Sequence, residues 1–265
     1  MVKRVSLFVA GVQKGGTTAL ESLLRDQPNV RMAKIKEPHF FDNDELDWRR
    51  PDYAAYHRLF DPSRDDSIVG EATPIYSYWP NALERIATYN AGSYVVLCLR
   101  HPSFRAHSHW RMETARGAET FSFSDAIRAR GRERVLEAPG GVHRVYSYVE
   151  RGFYSSQIER AVRLFGQRRT LVLRTDELWR DPSATLRTIR EFLDLAPDDS
   201  PSESRYTVPL DARSLGPMNA SDREYLDAVY EADIRATAEL GRLDLSDWLD
   251  PTYEEPMDAS RGGDR

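Results

Sequence analysis

The chain has 265 residues, a formal net charge of −5 and a hydrophobic content of 40%. This length permits one large α/β domain or two small ones, and the hydrophobic content is sufficient for a core. The negative charge gives no reason to expect nucleic acid or an anionic membrane as a general partner. No run of residues approaches the ~18 apolar side chains that a membrane-spanning helix needs.

Cys98 is the only cysteine, which excludes an intramolecular disulfide and leaves core packing as its expected role. Residues 1–4 lead directly into a predicted core strand, which is not the pattern of a signal peptide. We therefore expect a soluble protein of the cytoplasm, with no integral membrane segment.

The first predicted element is a buried strand over residues 5–10, an apolar run that ends at Gly11. Residues 19–24 carry apolar side chains at helical spacing and predict the first helix. Between strand and helix lies a glycine-rich turn whose backbone N–H groups would point at one place. Such a junction predicts an anion site, because glycine lets a ligand approach and the helix N-terminus adds partial positive charge.

Lys14 lies within this turn, three residues earlier than the lysine of a nucleotide-triphosphate P-loop, G-x-x-x-x-G-K-[ST]. No predicted strand ends in the acidic residue that would complete a magnesium site. The strongest later strand, residues 93–99, ends instead in Arg100. This arrangement indicates a ligand with two separated anionic groups and no metal.

The segment from Lys36 to Phe41 is predicted to be a loop, because Pro38 disfavours helical geometry at Glu37. Glu37 and His39 beside aromatic residues could form an acid–base site. The residues also allow a plain surface loop with Phe40 and Phe41 buried in the core.

Later segments are predicted from their spacing and turn residues. We expect strands at 30–35, 67–74 and 170–174, and helices at 53–60, 81–89, 102–116, 121–130, 149–165, 184–193 and 221–240. Ser221 is the predicted cap of the last helix, and Trp248 is expected to dock the end of the fold. The remainder of 117–145 is expected to be mobile and 251–265 disordered, so that residues 1–250 form a single domain.

Two features of the second half leave alternatives. The arginine-rich run around 128–134 is either a solvated face or a contact for an anionic acceptor. His101, His107 and His109 could suggest a metal, but no cysteine lies near and carboxylates are few, so no metal site is predicted.

Two motifs carry a resemblance to a known family. Residues 12–18, Val-Gln-Lys-Gly-Gly-Thr-Thr, resemble the 5′-phosphosulfate loop of sulfotransferases that use 3′-phosphoadenosine 5′-phosphosulfate (PAPS). Arg100, followed eight residues later by Ser108, resembles the 3′-phosphate motif of that family. The order and separation of these motifs, with Glu37-Pro38-His39-Phe40-Phe41 between them, resemble the heparan sulfate sulfotransferases and their bacterial relatives. The resemblance extends from about residue 5 to about residue 250.

This resemblance implies a three-layer α/β/α fold with a central parallel sheet, a P-loop-like fold that binds a nucleotide. It implies PAPS as co-substrate and no metal. The implied donor-binding residues are Gln13, Lys14, Gly15, Gly16, Thr17, Thr18, Arg100 and Ser108, with Tyr206 and Arg213 from a loop that closes over the cofactor. Glu37 matches the catalytic base of the family, Lys14 would stabilise the leaving phosphate, and His39 is the alternative base.

Ala72 departs from the family, whose members often have a lysine at that position, so no second catalytic lysine is predicted. The expected reaction is sulfuryl transfer to a hydroxyl or amine of a glycan, lipid or secondary metabolite. Animal Golgi members carry a membrane anchor and disulfides, so their lack here favours a bacterial enzyme. A P-loop-type nucleotide kinase and a non-catalytic nucleotide-binding module remain as alternatives, and the oligomeric state is left open.

Overall fold

The computed structural model describes residues 4–61, 68–196 and 216–256. Its strands form one parallel sheet in the order β2-β3-β1-β4-β5. They are β1 (Leu7–Gly11), β2 (Val30–Met32), β3 (Ile68–Ala72), β4 (Tyr94–Leu99) and β5 (Thr170–Arg174). The central position of β1 places the glycine-rich turn at the carboxyl edge of the sheet, where open α/β sheets bind their ligands.

The α-helices of the described residues are α1 (Thr17–Arg25), α2 (Tyr53–His57), α3 (Ala82–Tyr89), α4 (Pro102–Ala115), α5 (Phe123–Ile127), α6 (Ala129–Leu136), α7 (Ser155–Phe165), α8 (Thr175–Arg180), α9 (Pro182–Phe192) and α10 (Ala220–Gly241). Short 3₁₀ turns occur at Pro139–Gly141, Glu150–Gly152, Gln167–Arg169 and Ser246–Leu249. None of these helices is long and apolar enough to cross a membrane.

The chain forms two compact units. Of the described residues, the first unit contains 4–61, 68–99, 158–196 and 256, and the second contains 100–157 and 216–255. The sheet lies entirely in the first unit. The expectation of one domain over residues 1–250 stays a prediction.

In the first unit, both faces of the sheet are covered, as the alternation of β1 shows. Leu7 and Val9 pack in a cluster with Leu20 of α1 and Ile189 of α9. On the opposite face the ring of Phe8 meets that of Phe41 at 5.6 Å. Phe41 in turn contacts aromatic rings from two helices, Tyr56 of α2 and Tyr89 of α3. Side chains of alternate strand residues point to opposite faces, so helices flank the sheet on both sides. The predicted α/β class with a central parallel sheet is confirmed.

The second unit is built around the pairing of α4 with α10. Ser103 donates a hydrogen bond to Asp227 at 2.6 Å, and the buried Tyr230 donates to the carbonyl of Val149 at 2.8 Å. A Cβ at Gly152 would lie 2.5 Å from the hydroxyl of Tyr230, so only glycine fits there. Trp248 is buried with 2% of its surface exposed, which confirms its predicted docking.

Several expectations in this unit were wrong. Residues 121–130 do not form one helix, because Arg128 is extended (φ −98°, ψ −175°) and separates α5 from α6. The mobility expected for the rest of 117–145 stays a prediction. The last helix is capped by Asn219 rather than Ser221, since the Asn219 side chain accepts from the N–H of Asp222 at 2.8 Å. The helix predicted from 149 begins at Ser155, after the turn at Glu150–Gly152.

Candidate active site

The backbone of the glycine-rich turn between β1 and α1 requires glycine at specific positions. A Cβ at Gly15 would lie 2.2 Å from the carbonyl oxygen of Cys98, so this position must be glycine. Gly16 has φ +81° and is the N-cap of α1, and Lys14 is also left-handed at φ +69°. The carbonyl of Gly15 accepts a hydrogen bond from Thr175 at 2.7 Å, which fixes the turn against α8.

This geometry leaves the start of α1 suited to an anion. The first N–H groups of a helix have no intrahelical acceptor, and they carry the positive end of the helix dipole. The first turn of α1 contains no acidic residue, and no side chain caps it. Thr17 is buried, whereas Gln13, Lys14 and Thr18 are partly exposed. The structure therefore brings the predicted loop residues together around one helix N-terminus.

Cys98 behaves as a packing residue. It is a buried free cysteine, and its sulfur lies 3.5 Å from the hydroxyl of Thr175. Burial raises the pKa of its thiol to about 12, so the thiol is neutral at physiological pH. This agrees with the expected core role.

Glu37 and His39 lie on a strained loop that follows β2. Both residues are left-handed, with φ +56° and φ +53° respectively, which is uncommon for non-glycine residues. The N–H of Glu37 donates to the carbonyl of Ala72 at the end of β3 at 3.0 Å. The loop is thus held against the carboxyl edge of the sheet.

Four ionisable side chains of this loop contact one another in a row: Lys36, Glu37, His39 and Asp42. The ammonium of Lys36 contacts one oxygen of Glu37, and Nε2 of His39 lies 3.4 Å from the other. Nδ1 of His39 lies 2.9 Å from a carboxylate oxygen of Asp42, which is fully buried. The imidazole therefore joins a buried carboxylate to the partly exposed carboxylate of Glu37.

This row fixes the charges of the two candidate bases. Burial raises the pKa of Glu37, but the hydrogen bond from His39 and the charge of Lys36 outweigh it and lower the pKa to about 2. The hydrogen bond to Asp42, reinforced by Glu37, raises the pKa of His39 to about 9. At neutral pH Glu37 is therefore ionised and His39 is protonated.

Sequence reasoning missed Glu71, a fully buried carboxyl group on β3. Its oxygens accept hydrogen bonds from Tyr56 at 2.5 Å, from Thr73 at 2.6 Å and from Tyr76 at 3.3 Å. Burial raises its pKa to about 7 in spite of these bonds. A single acid inside an otherwise apolar strand was the available signal.

Tyr76 links this buried carboxyl to the loop of Glu37. Its hydroxyl accepts from the N–H groups of Phe40 at 3.2 Å and Phe41 at 3.4 Å while it contacts Glu71. Both phenylalanines are packed among aromatic rings; Phe41 is fully buried, whereas Phe40 is partly exposed. The loop is therefore held in place by the same hydrogen-bond network that supplies donors to the carboxyl group of Glu71.

In the second unit, Arg100 lies directly after β4 and pairs with an acidic residue from the end of the chain. Its Nε lies 2.7 Å from one oxygen of Glu255 and its Nη2 lies 2.5 Å from the other. The carbonyl of Arg100 accepts from Tyr154 at 2.7 Å. This contact lies in the stretch 251–265 that was expected to be disordered, and that expectation stays a prediction; residues 257–265 lie outside the described residues.

Ser108 lies on α4, six residues after Pro102, or about 9 Å along the helix axis. It is partly exposed, and no hydrogen bond joins its hydroxyl to another described residue. Its role as a phosphate ligand stays a prediction. Tyr206 and Arg213 lie outside the described residues.

The other expectations for this unit concern basic and histidine residues. Arg128, Arg132 and Arg134 each pair with an acid, so most of the charge of the arginine-rich run is neutralised locally. The histidines have structural contacts: His101 caps α4, His107 stacks on Trp110, and His109 lies against Tyr148. In the described part of the chain, no cluster of three potential metal ligands occurs.

Comparison with known proteins agrees with the fold and the motifs. A family model described as a sulfotransferase domain matches residues 5–224. The heparan sulfate glucosamine 3-O-sulfotransferase 3A1 of mouse is 30% identical over 188 residues, which cover 71% of this chain and 45% of the relative. The human 3B1 enzyme is 30% identical over 191 residues, with 71% and 45% covered. The chain thus spans about half the length of these curated relatives.

Solved structures show the same fold. A sulfotransferase from Alicyclobacillus acidocaldarius superposes with a TM-score of 0.78 and 27% identity, over 94% of this chain and all of that one. Mouse sulfotransferase SULT7A1, solved in complex with PAP, gives a TM-score of 0.54 over 91% of this chain and 88% of that one; at 14% identity it shows the fold alone.

The parallel sheet and the glycine-rich turn define an α/β protein with a P-loop-like fold, as predicted. More specifically, the chain belongs to the sulfotransferase family. The family recognised from the sequence motifs is confirmed.

Proposed function

We propose that this protein transfers the sulfuryl group of PAPS to a hydroxyl or amine of a glycan, lipid or secondary-metabolite acceptor. The observation that carries the proposal is the turn before α1. The backbone of Gly15 packs directly against β4, the backbone of Gly16 is in the left-handed conformation, and the first turn of α1 has no acidic residue. These features suit a phosphosulfate bound by backbone N–H groups, with Lys14 as the neutralising cation.

The donor-binding roles are assigned residue by residue from the family motifs. Gln13, Lys14 and the N–H groups of Gly15 to Thr18 would hold the 5′-phosphosulfate. Arg100 and Ser108 would hold the 3′-phosphate, the group that distinguishes this donor from ATP. Tyr206 and Arg213 are proposed as further ligands on the resemblance alone.

The proposed transfer step uses Glu37 as general base. The acceptor oxygen or nitrogen attacks sulfur in line, its proton passes to the carboxylate of Glu37, and the bond from sulfur to the bridging phosphate oxygen breaks. The electron pair stays on that oxygen, where Lys14 neutralises the developing charge as adenosine 3′,5′-bisphosphate leaves. The pKa of Glu37, about 2, keeps this carboxylate ionised in the free protein.

His39 is the less suitable base in this arrangement. Because its pKa is raised to about 9, it carries a proton at neutral pH and donates rather than accepts. Its contacts to Asp42 and Glu37 suit a role in which it orients the carboxylate of Glu37. Lys36 also contacts Glu37, and displacement of this partly exposed cation by an acceptor would raise the basicity of the carboxylate.

The proposal is tested with labelled PAPS and a panel of glycan, lipid and small hydroxylated or aminated acceptors, with and without EDTA. Transfer of the label that persists in EDTA would support it. Transfer of phosphate from ATP that requires magnesium would favour a nucleotide kinase, and binding without any transfer would favour a non-catalytic module. A cytoplasmic location and a bacterial source remain part of the proposal, supported by the sequence alone.

A further inference from the structure

Glu255 forms a bidentate ion pair with the guanidinium of Arg100. Two N–H groups of the guanidinium face two carboxylate oxygens, at 2.7 and 2.5 Å, which is the fork geometry that arginine also uses for phosphate. Both side chains are mostly buried, with 18% and 14% of their surfaces exposed. The group that the motif assigns to a phosphate is therefore engaged by a carboxylate of the same chain.

The position of Glu255 is set by an aromatic anchor two residues before it. The ring of Tyr253 stacks on His101, which follows Arg100 in the chain, with centroids 5.2 Å apart and planes 16° apart. Arg223 of α10 donates to the carbonyl of Tyr253 at 3.2 Å. These contacts hold Tyr253 without involving the side chain of Glu255.

This inference rests on the proposed function, in which Arg100 binds the 3′-phosphate of the donor. We infer that Glu255 is a further donor-site residue: its carboxylate occupies the phosphate-binding fork of Arg100, and the 3′-phosphate must displace it. A carboxylate carries one negative charge and a phosphate monoester nearly two, so the phosphate is the stronger partner for the same fork. Glu255 is thus a built-in competitor whose strength sets the affinity for 3′-phosphorylated nucleotides.

Competition between Glu255 and the 3′-phosphate for Arg100 weakens the measured affinity for the nucleotide. When the binding-competent form is only a fraction of the population, the apparent dissociation constant rises by the inverse of that fraction. If Glu255 occupies Arg100 in nine of every ten molecules, its removal tightens binding of adenosine 3′,5′-bisphosphate about tenfold, or about 1.4 kcal/mol. Adenosine 5′-phosphate lacks the 3′-phosphate, so its affinity does not depend on Glu255.

The test is calorimetric titration of the full chain with these two nucleotides. Three proteins are compared: the unaltered chain, Glu255→Gln, and Glu254→Gln as a matched control that removes the same charge from an exposed neighbour. We expect Glu255→Gln to bind adenosine 3′,5′-bisphosphate at least about tenfold more tightly, with unchanged affinity for adenosine 5′-phosphate. Glu254→Gln should match the unaltered chain for both. Should Glu255→Gln fold poorly, Glu255→Asp keeps the charge with a shorter side chain and should give a smaller gain.

The two hypotheses fail in different ways. If the unaltered chain prefers adenosine 3′,5′-bisphosphate but Glu255→Gln binds it equally or more weakly, the inference is overturned while the proposed function stands. If the unaltered chain binds both nucleotides equally, the proposed donor site fails, and the inference fails with it. A gain of equal size in Glu254→Gln would show a general charge effect and would also overturn the inference.

Discussion

Nδ1 of His39 lies 2.9 Å from the buried carboxylate of Asp42, and the other ring nitrogen of His39 faces Glu37. A histidine held between two carboxylates keeps its proton, which is why its pKa is raised to about 9. In the proposed reaction Glu37 is therefore the proton acceptor, and His39 orients its carboxylate.

The first prediction ranks these two residues in catalysis. Glu37→Gln keeps the shape of the side chain but removes the proton acceptor, so kcat should fall at least ~100-fold with little change in donor affinity. His39→Ala should lose less, because the carboxylate of Glu37 remains. Steady-state kinetics of both variants with one acceptor, beside calorimetry with adenosine 3′,5′-bisphosphate, provide the measurement. The reverse ranking would assign the base to His39.

A second prediction concerns stability against pH. The pKa of His39 rises from an ordinary 6.5 to about 9 on folding, so the stability that its charge contributes is complete below pH 6.5 and is lost as pH rises to 9. The pKa of Glu71 rises from 4.5 to about 7, so folded protein binds the extra proton between these values and stability also falls with rising pH there.

The two windows can be separated by urea unfolding of His39→Gln and Glu71→Gln at half-unit steps from pH 4.5 to 9.5. His39→Gln should flatten the decline between 6.5 and 9, and Glu71→Gln the decline between 4.5 and 7. If both variants followed the unaltered chain across the whole range, the charge states assigned to these groups would be wrong.

The sequence predicted an element correctly where the spacing of apolar residues and the local turn residues indicate the same structure. The apolar run before Gly11 and the helical spacing after Thr18 predicted β1, the turn and α1, because a buried strand and a glycine turn each leave a local signature. The contact between Arg100 and Glu255 joins residues 155 positions apart, and Glu255 lies in a polar stretch with no periodicity. Nothing local could predict that partner.

Helix ends and breaks were the other limit. The predicted helix over 121–130 continues in α6 after an extended residue at Arg128, and both parts bury apolar residues such as Ile127 and Val135. Tertiary packing selects this break, because the spacing of the apolar residues allows one helix or two. Sequence also could not decide between Asn219 and Ser221 as the N-cap of α10, since both residue types are good caps.

A third prediction tests Ser108 as a phosphate ligand. Its hydroxyl has no hydrogen-bond partner among the described residues, so Ser108→Ala should leave the melting temperature nearly unchanged. Affinity for adenosine 3′,5′-bisphosphate should fall about ten- to hundredfold, because a hydrogen bond to a charged group contributes about 1.5–3 kcal/mol. Ser103→Ala is the control: it removes a buried hydrogen bond to Asp227 and should lower stability instead. Unchanged nucleotide affinity in Ser108→Ala would remove this serine from the donor site.

The last prediction concerns Tyr76, which connects the buried Glu71 to the loop that carries Glu37. Tyr76→Phe deletes the hydroxyl that accepts from two loop N–H groups. The N–H of Phe41 is buried and that of Phe40 partly buried, so leaving them unsatisfied costs about 1–3 kcal/mol. Because the turn before α1 is untouched, donor affinity should hold while kcat falls about tenfold, as the left-handed backbone at Glu37 relaxes. Tyr94→Phe, at the amino end of β4, removes a hydroxyl with a 3.5 Å contact to Asp194 and serves as the control. A kcat for Tyr76→Phe equal to that of Tyr94→Phe would show that the network supports the fold but does not position the base.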